Sequence, residues 1–262
     1  MNFAKKSLGQ NFLIDKNIIK KIISLTIIKG KNIVEIGPGK GALTDEILLN
    51  NPKSLTIIEK DNKLFKELKN KYVLFKNVRI FNEDILKINL EKIIYDNSII
   101  FGNLPYNISS QILVNMIRFK KWPPKFIDLI FMFQKELGEK ILGKYKTKNY
   151  NRLSVLTNYR LDLIDNFIIS PNCFFPKPKV FSMTIHFKPK KKNRISIKNI
   201  KNLEKITHIF FSKKRKMINK SIKQILLNHQ ISRMPNLDLK LRPSDIKPDD
   251  YYNIVKIYEM DR

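Results

Sequence analysis

Phe101-Gly102-Asn103-Leu104-Pro105-Tyr106 follows Ser98-Ile99-Ile100, an apolar, β-branched run of the kind that forms a buried parallel strand. Asn-Leu-Pro-Tyr at the carboxyl end of such a strand falls where an open α/β sheet carries its chemistry. Its residue types suit holding a flat base by an exocyclic amine. The Asn103 side-chain oxygen accepts hydrogen bonds, and Pro105 biases Leu104 to an extended backbone that leaves its carbonyl free of regular pairing. Tyr106 offers a π face for stacking. Four such residues alone describe a strand and a turn equally well; the rest of the chain decides between the readings.

Upstream, Asn32-Ile33-Val34-Glu35-Ile36 runs straight into Gly37-Pro38-Gly39-Lys40-Gly41, and the spacing of Leu43, Ile47 and Leu48 starts a helix at once. This is the first βα turn of a nucleoside- or dinucleotide-binding half, with glycines that let a ligand approach the backbone. The next strand, Leu55–Ile58, ends in Glu59, 22 residues past Gly37, the separation expected of a carboxylate on a ribose diol. A third strand, Val78–Phe81, ends in Asn82-Glu83-Asp84. Gly37, Gly39 and Ala42 also satisfy the dinucleotide fingerprint. Glu35 within reach of an amino-acid ammonium, Asp84 within reach of an adenine amine, and the lack of a basic residue committed to a pyrophosphate favour S-adenosylmethionine, whose sulfonium is cationic.

Before the first strand, Asp15 reads as the cap of a helix bearing Ile18, Ile19, Ile22 and Ile23. Beyond the Asn103 motif come a helix over Ser109–Phe119, a strand over Phe126–Phe133, a helix near Arg152–Val155 and a strand over Leu161–Ile169. Cys173-Phe174-Phe175-Pro176-Lys177-Pro178-Lys179-Val180 reads as a proline-stiffened loop with aromatics beside lysines, a platform on which bases stack. Phe181, Met183, Ile185 and Phe187 alternate as in a half-buried or antiparallel edge strand. Lys188–Arg194 reads as a linker, and past it only helical patterns occur, interrupted by Lys213-Lys214-Arg215-Lys216.

The chain of 262 residues carries a formal charge of +28, with 51 lysines and arginines against 23 acids. Lysine supplies 42 of the 51, a bias that an A+T-rich genome also produces. Placement argues further: residues 166–237 hold 17 basic residues and one acid, Glu204, so about a quarter of the chain carries more than half of the excess. A concentrated basic face is the footprint of a nucleic-acid binder. One cysteine excludes an internal disulfide framework and multi-cysteine metal sites. No signal-type or bilayer-length apolar run occurs, so a cytoplasmic protein is expected. His186, His208 and His229 fall outside the strand-end motifs; no metal is implied.

Taken together, Ser7–Leu13, Val34–Gly39, Ile58–Asp61, Glu83–Asp84, Gly102–Ser109, Arg152–Val155, Phe174–Val180 and Lys213–Ile222 resemble the ribosomal RNA adenine dimethyltransferase family, relatives of the Erm resistance methylases. The resemblance implies an α/β, Rossmann-like S-adenosylmethionine-dependent methyltransferase fold with a seven-stranded sheet, over residues 1–189, and a small C-terminal α-helical domain over 190–262 that binds rRNA. It implies a monomer that dimethylates two adjacent adenosines near the 3′ end of small-subunit rRNA within an assembling small subunit, without metal. It also implies cofactor contacts at Asn11, Leu13, Gly37, Glu59, Asp84 and Asn103, and a target-adenine site of Asn103, Leu104 and Tyr106 with Phe174 on the base's other face. Lys213, Lys214, Arg215 and Lys216 would meet RNA. Asn151 stands where Gly commonly precedes Arg-Leu-Ser-Val, and Asn tolerates a left-handed turn; Phe181 stands where a small polar residue is common. Rival readings are an assembly factor that acts by binding, an enzyme acting on large-subunit rRNA, and a DNA adenine methylase; the Gln-Asn-Phe-Leu context and the Lys213–Ile222 segment, read as a helix, favour the small subunit.

Overall fold

The computed structural model describes residues 10–260, so the expectations placed on Lys5–Gly9, including the start of the Ser7–Leu13 motif, lie outside the described residues. The strands are β1 (Phe12–Leu13), β2 (Asn32–Ile36), β3 (Ser54–Ile58), β4 (Val78–Phe81), β5 (Ser98–Asn103), β6 (Phe126–Gln134), β7 (Leu161–Ile169), β8 (Phe174–Phe175) and β9 (Ser182–Pro189). Seven of them form one sheet in the order β4-β3-β2-β5-β6-β9-β7, and β1 pairs with β8 apart from it. Pairings from β4 through β6 are parallel, and β9 is antiparallel to β6. The order runs outward in both directions from β2 and β5. Their carboxyl ends are therefore the topological switch point, where an α/β sheet opens a crevice.

The sequence produces these strands for a plain reason. Ile33, Val34, Ile36, Ile99, Ile100 and Phe101 are all buried, as a parallel strand covered by helices on both faces requires. Asp15 caps the helix Lys16–Ile23 as expected, its carboxylate accepting from the amides of Asn17 and Ile18. The helix after β5 spans Ser109–Ile117, and β6 runs one residue beyond its apolar stretch.

Three expectations about local structure differ here. β9 is not an edge strand: it lies between β6 and β7 and is buried on both faces, and β7 takes the edge with Leu163, Ile164 and Ile168 exposed. The polar residues of the alternation are buried too, His186 being paired with buried Asp128 on β6. Asn151 is extended rather than left-handed (φ −160°); it caps the helix Arg152–Arg160, its oxygen accepting from the Leu153 amide while Ser154 Oγ accepts from its own. Lys213–Lys216 form a turn that closes the helix Ile200–Ser212, not a continuous helix to Ile222.

The chain divides into two compact units. One runs to Gly138 and resumes over Asp162–Pro189; the other takes Glu139–Leu161 and the chain from Lys190 onward. A single cut at 189 therefore differs from the structure over Glu139–Leu161. Within the second unit, Tyr159 packs against Tyr252 (4.8 Å between ring centroids), the Tyr252 hydroxyl donates to the Val155 carbonyl, and the Tyr150 hydroxyl donates to that of Ile246. These aromatic anchors tie Tyr150 and the helix Arg152–Arg160 to the C-terminal part of the same unit, which includes the helix Pro248–Met260.

Candidate functional site

A cavity of about 440 Å³ opens at the switch point of the first unit. β2 delivers Glu35 and the Gly37–Gly39 turn, β3 delivers Glu59, the loop after β4 delivers Asp84, and β5 delivers Asn103–Tyr106. Two glycines are required here. Gly37 has φ +67°, a left-handed conformation that would strain any side chain, although a Cβ there would make only ordinary contact, 3.7 Å from the Asn103 carbonyl. Gly39 has φ +60°, and a Cβ would meet the Phe12 ring at 2.7 Å.

Glu59 is buried. Its Oε1 accepts from the Asp61 amide at 2.8 Å, and the amides of Gly39 and Lys60 also serve its carboxylate. Burial raises its pKa, and the Asp61 and Gly39 amides oppose that rise. The acid thus links the glycine turn to β3 while facing the cavity. Asp84 accepts from Lys60 Nζ at 2.8 Å and from the Leu86 amide at 2.9 Å; the Lys60 ammonium holds its carboxyl below the usual range. Glu35 is 1% exposed, and its Oε2 accepts from Thr44 Oγ1 at 2.6 Å. Burial pushes it up to about 8, the Thr44 bond opposing. Five acids line the cavity against two lysines: Lys60 is engaged with Asp84, and Lys40 stands 5.2 Å from the centroid of the Phe12 ring. That balance suits a cationic ligand with a ribose and leaves no cationic cluster for a pyrophosphate.

The N-terminal segment is a wall of the cavity. Asn11 and Leu13 both line it, as does Phe12 between them. Asn103 Nδ2 donates to the Asn11 carbonyl at 3.0 Å, which turns its Oδ1, the acceptor, away from that bond. Leu104 is buried but lines the cavity, and Tyr106 lines it with its hydroxyl hydrogen-bonded to Ser182 Oγ at 2.6 Å. Burial raises the Tyr106 pKa, so the phenol stays neutral.

Gly37, Glu59, Asp84, Asn103, Leu104, Tyr106, Asn11 and Leu13 therefore converge on one cavity. Phe174 does not. It is 2% exposed, packed in the core with Leu13, Ile19 and Ile23, and it is absent from the cavity lining. The reason is register: Leu13 pairs with Phe174 and Phe12 with Phe175, so alternation sends the Phe174 ring inward and leaves Phe175 61% exposed. Lys213, Lys214, Arg215 and Lys216 belong to the second unit, where all four are exposed and none enters an ion pair. Ser182, Thr44 and Phe12 were not singled out from sequence. Only Thr44, seven residues past Gly37 at the start of a helix, carries a local signal. Among the described residues no group of three or more histidines, cysteines or acids gathers as a metal site would require, and no helix is long and apolar enough to cross a membrane.

A sheet of this order with an acid-rich crevice at its switch point defines a Rossmann-like methyltransferase. The ribosomal RNA adenine dimethylase model matches residues 1–260, and the chain belongs to that family. It is 44% identical over 257 residues to the ribosomal RNA small subunit methyltransferase A of Pelagibacter ubique, covering 98% of this chain and 97% of that protein. The protein of the same name from Sulfurihydrogenibium sp. is 38% identical over 260 residues, covering 98% and 97%. Among solved structures, a dimethyladenosine transferase from Plasmodium falciparum superposes with TM-score 0.77 at 24% identity, covering 93% of this chain and 95% of that one. The 23S rRNA methyltransferase ErmE superposes with TM-score 0.69 at 21% identity, covering 96% and 100%. At those identities the two structures speak to the fold.

Proposed function

We propose that the chain dimethylates N6 of two adjacent adenosines near the 3′ end of small-subunit rRNA during subunit assembly, with S-adenosylmethionine as methyl donor. The observation that carries this reading is the meeting of an acid-lined nucleoside cavity with Asn103-Leu104-Pro105-Tyr106 at the β2/β5 switch point. The small-subunit assignment follows the relatives at 44% and 38% identity.

The residues fit the donor by their chemistry. Glu59 would hold the ribose diol, Asp84 the adenine amine, and Glu35 the amino-acid ammonium, all three lining the cavity beside the glycine turn. When bound, S-adenosylmethionine supplies an electrophilic methyl on a cationic sulfur. The remaining work belongs to the chain. The lone pair of an adenine N6 is delocalised into the ring, and attack requires the nitrogen to become tetrahedral. Asn103 Oδ1 and the Leu104 carbonyl accept from N6 and favour that geometry, offsetting positive charge as it develops. Tyr106, fixed through Ser182, presents its ring to the base. No strong base is needed, since the alkylated nitrogen gives its proton to water. A stacked adenosine cannot reach the cavity and must leave its helix first.

Lys213–Lys216 form an exposed, unpaired cationic turn suited to rRNA phosphates. Labelled methyl transfer to undermethylated small subunits, compared with free rRNA, large subunits and DNA, tests the reading. Transfer to small subunits supports it; preference for large subunits or DNA would contradict it.

A further inference from the structure

Phe175 and Phe181 are the two most exposed aromatic rings among the described residues, at 61% and 50%. Neither is needed for the core, and the sequence spends both on one eight-residue stretch. Phe175 pairs across the β1–β8 ladder with Phe12, a wall of the cavity. Phe181 precedes Ser182, the residue that holds the Tyr106 hydroxyl, and its carbonyl accepts from the Lys135 amide at 2.9 Å. Phe175 therefore lies across a strand ladder from a wall of the cavity, and Phe181 one residue from the side chain that holds Tyr106, at opposite ends of a single loop. Between them lie Pro176 and Pro178, which stiffen it, and Lys177 and Lys179, both exposed and without an ion pair. No acid occurs from Phe174 to Phe181.

We propose that Phe175 and Phe181 form a stacking platform for single-stranded rRNA nucleotides flanking the target adenosine, with Lys177 and Lys179 on their phosphates. The inference rests on the rRNA reading above. An extruded base breaks the stacking of its neighbours, and those neighbours gain most from new aromatic faces. Exposed rings on a proline-stiffened backbone lose little freedom on binding, and cations alongside them follow the phosphate chain. The platform also gives a role to the exposed ring that register leaves beside the buried Phe174.

The test uses the full chain and undermethylated small subunits, with donor saturating. Stacking contributes to ground state and transition state alike, so each Phe→Leu change should raise KM for the subunit by about 5- to 150-fold and leave kcat within twofold. Phe175→Tyr and Phe181→Tyr should restore KM, because they keep the π face; leucine keeps only apolar bulk. S-adenosylhomocysteine affinity should stay unchanged in all four. A second readout is quenching of 2-aminopurine in a single-stranded RNA oligonucleotide, which the wild type and Tyr variants should produce and the double Leu variant should lose. Leu variants with wild-type KM overturn the platform while active wild type leaves the catalytic reading standing. A raised KM with unchanged quenching also overturns it and gives the surface to a protein component of the subunit. No transfer by the wild type would instead sink the reading on which the inference rests.

Discussion

The side-chain amide of Asn103 donates to the main-chain carbonyl of Asn11, 92 residues earlier, at 3.0 Å. One residue thereby orients its own acceptor oxygen and pins the N-terminal segment as a wall of the cavity. Its neighbour along that wall, Phe12, leans on Gly39 and pairs with Phe175 in β8. The cavity, the Asn103–Tyr106 motif and the aromatic loop share these few contacts.

Glu59→Ala should chiefly weaken donor binding. A ribose diol would lose a charge-assisted partner worth about 1.5–3 kcal/mol, or roughly 10- to 150-fold in Kd. The Gly39 amide would lose its acceptor as well, so the effect belongs at the upper end of that range. Isothermal calorimetry with S-adenosylhomocysteine measures it; unchanged affinity would make Glu59 a bystander.

Glu35 should make donor binding depend on pH. Its folded pKa is raised to about 8 against 4.5 for the free side chain, so without ligand it keeps its proton at neutral pH. The folded state then binds more protons than the unfolded one between those values, and stability falls as pH rises through that window. A ligand ammonium beside Glu35 favours the carboxylate and expels the proton. Affinity should therefore rise from pH 6 to 8, with up to one proton released per donor bound. Calorimetry in buffers of different ionisation enthalpy counts that proton. Glu35→Gln should release none and should flatten the dependence of Tm on pH.

Changing Lys214, Arg215 and Lys216 to Gln should weaken small-subunit binding and flatten log K against log[salt] by up to about two to three units, through lost counterion release. Donor affinity should not change, since the cavity belongs to the other unit. Filter retention across a salt series checks this. Identical slopes would return the cluster to the compositional background of a lysine-rich chain.

The strands that build the site were legible because buried parallel strands are written as continuous apolar runs, each ended here by Gly37, Glu59 or Asn103. Asp15 was legible because an N-cap is a local signal. What escaped depends on partners distant in sequence. The two-residue β8 exists only through β1, about 160 residues away, and that register alone decides that Phe174 points inward and Phe175 outward. The alternation in β9 looked half-exposed because its polar residues resemble a solvent face, yet His186 is satisfied by Asp128 inside the sheet. The placement of Glu139–Leu161 with the C-terminal unit rests on Tyr150, Tyr159 and Tyr252, whose partners no local pattern names.

The central claim is that Asn103 activates an adenine N6 rather than merely bracing the cavity. Losing its bond to Asn11 costs about 0.5–1.5 kcal/mol, so Asn103→Ala should bind donor no worse than about tenfold below wild type. Losing a preorganised acceptor should slow methyl transfer at saturating donor by at least ~10²-fold. The most direct measurement is N6,N6-dimethyladenosine formed on undermethylated small subunits, quantified by nucleoside mass spectrometry over time for wild type and Asn103→Ala with donor saturating. The account predicts rapid dimethyladenosine with wild type and a rate at least ~10²-fold lower with the variant; a variant within a few fold of wild type would contradict it.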